Sequence, residues 1–116
     1  RDFSYIDNAV AANLLAAVAP ATADVPLLNI ACGERTTLND LFAEIRALVA
    51  QDRPDTAAVE PDYQPERAGD VRHSLAKITA ARTAIGYVPQ TRLGEGLART
   101  YDWYRRRATP AAGIAV

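Results

Sequence analysis

The 116-residue sequence has no methionine, one cysteine, one histidine, one tryptophan and two phenylalanines. A lone cysteine, Cys32, excludes an internal disulfide and a cysteine-rich zinc site. His73 is far from it in sequence and no spacing links the two, so a cysteine–histidine nucleophile is not encoded. Cys32 is expected to be a buried small hydrophobe, in a chain suited to a reducing cytoplasm. Neither charge is in excess: 13 Lys and Arg stand against 14 Asp and Glu, a net charge of -1. Without a basic field, nucleic acid is not an expected partner. No apolar run approaches the roughly 20 residues of a membrane span, so no membrane is expected either. The missing methionine and the absence of a leader pattern mark the chain as excised or processed from something longer. No Gly-rich dinucleotide loop, phosphate-binding P-loop, metal-ligand cluster or internal repeat is present.

What remains has a globular balance, 49% hydrophobic and 23% charged residues, and a length that allows a modest core. Phe3, Tyr5 and Ile6 give residues 2–6 strand character. Asp7 is placed to cap a helix over about 8–18, with Val10, Leu14, Leu15 and Val18 at helical spacing. Residues 25–31 read as a short buried strand, broken at Cys32-Gly33-Glu34. Thr37 followed by Asp40 forms a capping-box pattern. It opens a helix whose apolar stripe is Leu38, Leu41, Phe42, Ile45, Leu48 and Val49, and which ends before Pro54. A short strand is expected within 57–63, then a polar, irregular stretch over 64–72. Ser74 is placed to cap a helix over about 75–83 that Gly86 ends. The last helix spans 93–107, with Leu93, Leu97, Tyr101 and Tyr104 on one side, Trp103 adding packing surface, and Arg105-Arg106-Arg107 favouring its C-terminus. Strands and helices alternate, which predicts a mixed α/β domain over residues 1–107 with a flexible tail over 108–116.

Two segments combine arginine with aspartate: Arg1-Asp2-Phe3, and Arg67-Ala68-Gly69-Asp70-Val71-Arg72. A guanidinium fork matches phosphate oxygens, a carboxylate accepts from ribose hydroxyls, and glycine lets backbone approach a ligand. Surface ion pairs are the competing explanation. Ser, His and Asp crowd residues 70–74, but adjacency in sequence does not make a catalytic triad. His73 is expected on an exposed turn.

Arg1-Asp2-Phe3-Ser4-Tyr5-Ile6-Asp7-Asn8 resembles the R-D-F-x-Y-[IV]-x-[DN] segment of extended short-chain dehydrogenases. Leu28-Asn29-Ile30-Ala31-Cys32-Gly33 is similar to their strand and turn, and Thr37-Leu38-Asn39-Asp40-Leu41 to the helix start that follows. Arg67 to Ser74 resembles their R-x-G-D-V-x-x-S segment. Leu75 to Ile78, Ile85 to Pro89, Glu95-Gly96-Leu97 and Trp103-Tyr104 continue the pattern in order over about residues 1–105. Each motif alone is weak, and their order carries the resemblance. Within the NAD-dependent epimerase/dehydratase family, the chain most resembles UDP-N-acetylglucosamine 4-epimerases of bacterial polysaccharide biosynthesis.

The resemblance implies a C-terminal nucleotide-sugar-binding subdomain of a Rossmann-type epimerase, its Rossmann core missing. It implies that Arg1 and Arg67 bind the diphosphate of a UDP-sugar and that Asp70 bonds the ribose; Tyr5 and Asn8 receive no role. Lys77 stands where the family often has aspartate, in a segment taken as structural. The family's NAD loop and catalytic Tyr-x-x-x-Lys pair have no counterpart here. NAD is therefore expected in the full-length parent and not in this piece, which carries no catalytic residue and is expected to be inactive alone. A fragment of a nucleotide-sugar dehydratase or reductase and a stand-alone binding module are the alternatives. The expected partners are a UDP-sugar, an absent N-terminal Rossmann domain and, to cover the apolar surface left bare, a second copy of the chain in a homodimer.

Overall fold

The computed structural model describes residues 1–20, 27–65, 68–71 and 73–108. Their regular elements are all helical: α1 (Ile6–Val18), α2 (Leu38–Ala50), a 3-10 turn (Pro54–Ala58), α3 (Thr79–Ile85) and α4 (Leu93–Ala108). α1 packs on α3, and α2 packs on α4 and on the 3-10 turn.

α2 follows its sequence signals closely. The Thr37 hydroxyl accepts from the Asp40 amide at 3.0 Å, and the Asp40 carboxylate accepts from the Thr37 amide at 3.1 Å and its hydroxyl at 2.6 Å. These reciprocal bonds satisfy free donors of the first turn. The apolar stripe faces α4 but is only partly covered: no residue of α2 is fully buried, and Leu38 stays exposed. Arg46 lies over the Phe42 ring and donates to the Val59 carbonyl at 2.8 Å, fixing the end of the 3-10 turn against α2.

α1 starts two residues earlier than expected. Tyr5 is its N-cap, with no side-chain capping bond, and Asp7 lies in the first turn, where the positive end of the helix favours a carboxylate. Ser74 caps nothing: α3 begins at Thr79 after Ile78. Between them the Ala76 amide donates to the Asp2 carboxylate of the N-terminal segment. Gly86 ends α3 in the left-handed conformation, φ 67°, as its position predicts.

The core is small. Ala12, Ala81 and Tyr87 are fully buried, with Leu15, Leu28, Ile30 and Ile85 packed around them. The buried Tyr87 hydroxyl donates to the Ala31 carbonyl at 2.9 Å. Asn8, 1% exposed, accepts from the Gln90 and Thr91 amides, each at 3.0 Å, and donates to the Thr91 carbonyl at 2.8 Å. One amide side chain thus satisfies three main-chain groups and fixes α1 to the segment that enters α4. Cys32 is buried beside it, with the Asn8 amide 3.6 Å from its sulfur. Among the described residues no buried side-chain nitrogen or oxygen lacks a partner.

α4 is held close to the N-terminal segment. Arg99 bridges Asp7 at 3.3 Å and Glu95 at 2.7 Å, over the Tyr5 ring. Gly96 is buried, and a Cβ there would lie 2.8 Å from the Tyr5 Cβ. Arg105 and Arg106 both pair with Asp102 in the preceding turn. Trp103 departs from expectation: it is half-exposed, edge-on to Tyr104 and covered on one side by Arg107.

The mixed α/β expectation is not met among the described residues. Residues 2–5, 27–31 and 59–63 carry no strand, and 57–58 belong to the 3-10 turn; 25 and 26 lie outside the described residues, as does the expected tail from 109 onward. A strand exists by virtue of a neighbour that takes up its amides and carbonyls. Arg1 and Thr36 exchange both main-chain bonds, at 2.7 and 2.9 Å, a single rung of pairing that no second rung extends. The same lack of a covering layer shows on α1. Ile6, Val10, Leu14 and Val18, four residues apart, form an exposed apolar stripe on a helix whose single charge is Asp7.

Two predictions test this account. Gly96→Ala should lower stability by about 1–3 kcal/mol through overlap with Tyr5, although alanine is about 1 kcal/mol the better helix former. A urea midpoint at or above that of the unchanged chain would refute the close approach. The bonds from Thr37, first its hydroxyl and then its amide, hold the Asp40 carboxyl below its ordinary value. A carboxyl with a depressed folded-state pKa stabilises above its unfolded pKa, and that contribution is lost as pH falls through the folded value. The stability gap between the unchanged chain and Thr37→Ala, read from urea midpoints, should therefore be full above about pH 4 and shrink below it. A gap that is flat with pH would argue against the capping box.

Candidate functional site

Asp2 assembles the site. Its carboxylate accepts main-chain hydrogen bonds from Cys32 at 3.1 Å, Gly33 at 3.0 Å and Ala76 at 3.2 Å. Gly33 adopts φ 71°, and consecutive amides around a left-handed residue form a concavity that suits an anion. Here the anion is a side chain of the protein. An added Cβ at Gly33 would sit 3.3 Å from the Ile78 side chain and in a strained conformation, so glycine serves both the turn and the packing. Three segments distant in sequence, 1–2, 32–33 and 74–78, are held together by this one carboxylate.

That clamp brings Arg1 to the loop after residue 67. The Arg1 guanidinium is ion-paired with the Asp70 carboxylate, across 69 positions of sequence. Two of the three expected ligand-binding side chains are thus together. The third, Arg67, lies outside the described residues, as does Arg72. Both paired side chains keep contact with solvent, 32% and 57% exposed. They line an open cleft of about 480 Å³ whose other walls are Arg35 to Asn39 and His73. His73 is exposed, as its position predicts.

A second cleft, about 340 Å³, runs between Tyr5, Ile45 and Leu97. Its lining is mainly apolar, and it offers no cation or carboxylate to a polar ligand. Burial raises the Tyr87 hydroxyl above its ordinary value, as it does Tyr101, whose bond to Asp52 acts in the same direction. A tyrosine serving as base needs the opposite shift. No group of three His, Cys, Asp or Glu side chains is placed to hold a metal among the described residues. No described helix is long and apolar enough to cross a membrane.

Sequence reasoning missed two contributors. Asp2 was visible within the Arg-Asp-Phe motif, but its acceptance of amides from remote segments leaves no local pattern. Arg35 follows the Gly33-Glu34 turn and precedes a helix start, a position that can face a ligand, yet nothing in the spacing singles it out.

No family model matches the chain. Among curated proteins it is similar to a UDP-glucose 4-epimerase of Mycolicibacterium smegmatis, 33% identical over 108 residues, which are 93% of this chain and 32% of that protein. Among solved structures it is similar to a UDP-glucose 4-epimerase of Thermotoga maritima, a crystal structure with UDP-glucose. The TM-score is 0.77 and the identity 36%, over 93% of this chain and 32% of that one. It is also similar to MoeE5 in complex with UDP-glucuronic acid and NAD, at TM-score 0.73 and 30% identity, over 92% of this chain and 33% of that one. The two solved structures are similar to the chain in both sequence and fold. The chain spans about one third of the length of each.

Asp2→Asn tests the clamp. The substituted amide keeps one acceptor oxygen and turns an NH2 toward main-chain donors, so stability should fall by about 2 kcal/mol. A urea midpoint within error of the unchanged chain would show that the three amides have other acceptors.

Proposed function

We propose that this chain is the nucleotide-sugar-binding portion of an NAD-dependent UDP-sugar 4-epimerase, and that its own work is to hold the UDP part of the substrate. The observation that carries the proposal is the pairing of Arg1 with Asp70 in an open cleft. These residues come from the two segments whose motifs resemble the family's nucleotide-binding motifs. Arg1 and Arg67 contact the diphosphate and Asp70 accepts from the ribose hydroxyls. The relatives' names support the ligand class: two are UDP-glucose 4-epimerases, and the structure of one contains UDP-glucose. The preference for UDP-N-acetylglucosamine rests on the motif resemblance alone.

NAD, when bound to an epimerase of this kind, removes and returns the hydride of the sugar. The residues of this chain do not fit it. The chain has no Gly-rich turn leading into a helix, and α1, α2 and α3 are entered through Tyr5, Thr37 and Ile78. No Tyr-x-x-x-Lys pair is present in the sequence. No step of the reaction is therefore assigned to this chain; its contribution is binding and orientation in a cytoplasmic enzyme. A second copy of the chain covers the α1 stripe of Ile6, Val10, Leu14 and Val18, giving the homodimer.

Calorimetric titration at low salt tests the binding role. UDP and UDP-N-acetylglucosamine should bind saturably, Arg67→Ala should abolish most of the binding, and Asp70→Asn should weaken it about tenfold. Absence of any binding by the folded chain, or equal affinities in both variants and the unchanged chain, would overturn the assignment.

A further inference from the structure

Among its described lining residues, the cleft that holds Arg1 and Asp70 has two arginines and one carboxylate. Arg1 is matched by Asp70. Glu34, the acidic neighbour of Arg35, is ion-paired with Arg92. The Asp40 carboxylate is closed on Thr37. Arg35 and His73 line the same cleft, and neither has a hydrogen-bond or ion-pair partner among the described residues. Leu38 and Asn39 complete that wall. They form the first turn of α2, whose amides have no acceptor within the helix and whose end carries partial positive charge. Among the described residues that line the cleft, the guanidinium without an ion-pair partner is that of Arg35.

From this we propose that Arg35 is a further anion-binding residue of the cleft, gripping the diphosphate of the nucleotide sugar, with the His73 ring N–H as an additional donor. The proposal rests on the reading of the chain as a UDP-sugar-binding element. Each phosphate of a diphosphate bridge is anionic, and Arg1 shares its charge with Asp70. A second fork facing the same space supplies the balancing charge and a second pair of parallel N–H donors.

The test is calorimetric titration of the 116-residue chain with UDP and, separately, with inorganic pyrophosphate, repeated at two salt concentrations. Arg35→Gln replaces an exposed, unpaired side chain, so far-UV circular dichroism should be unchanged. Affinity for both probes should fall about tenfold, and the dependence of binding on salt should become shallower. His73→Gln should weaken both probes less. UDP affinity unchanged in Arg35→Gln but lost in Arg67→Ala would overturn the role of Arg35 and leave the nucleotide-sugar reading standing. Pyrophosphate binding that depends on Arg35, with UDP bound no better than pyrophosphate, would uphold the anion cleft and overturn the nucleotide reading. Binding of neither probe by the folded chain would overturn both.

Discussion

The Asp2 carboxylate is the constraint on which the site depends. Its three acceptances, from Cys32, Gly33 and Ala76, fix the N-terminal segment to two loops that no regular element joins. Charge-assisted bonds of this kind are roughly twice as strong as neutral ones, and a carboxylate can serve several donors where a main-chain carbonyl serves one or two. Removing Asp2 would release the loop leading to Ile78, and with it the placement of Asp70. Arg1 would then be one more solvated arginine. The pair that lines the cleft is thus a consequence of a main-chain clamp one residue away.

Polar anchors take this share of the work because the apolar core is thin. Ala12, Ala81 and Tyr87 are the fully buried cluster, and the molecule measures 54 × 50 × 22 Å. Its radius of gyration of 18.6 Å exceeds the roughly 13 Å of a compact domain of similar length. In such a plate, Asn8 and Tyr87 do what a sheet does elsewhere: each spends side-chain hydrogen bonds on main-chain groups of a distant segment. The exposed stripe of α1 and the exposed Leu27 belong to the same picture. They are apolar surfaces left exposed, and the relatives are about three times longer than this chain.

This explains which features could be read from the sequence. The start of α2 and the end of α3 are decided within a few residues, by Thr37 with Asp40 and by Gly86, and both are found where local chemistry puts them. The strands were not recoverable in the same way. The residue pattern of 27–31 is that of a buried strand, but strand formation is a statement about a neighbour, and within the described residues the neighbour amounts to the single Arg1–Thr36 exchange. Ser74 fails as a cap for a related reason. Its segment is tied to the N-terminus where the Ala76 amide meets Asp2, a contact across 74 positions that outweighs a local preference. The pairing of Arg1 with Asp70 was not read from the sequence, in which the order of motifs assigned each residue separately to one ligand.

The same pairing settles how the cleft can be both stable and receptive. An exposed ion pair contributes about 0–1 kcal/mol, so a ligand that offers phosphate to Arg1 and hydroxyls to Asp70 loses little by parting them. The ion pair holds each side chain in place at the cleft, and a side chain that is already ordered costs less to order on binding. The pair therefore sets geometry more than it sets affinity. Affinity for an anion must come from positive charge that no carboxylate of the protein already matches, and within the described part of the cleft that charge is on Arg35.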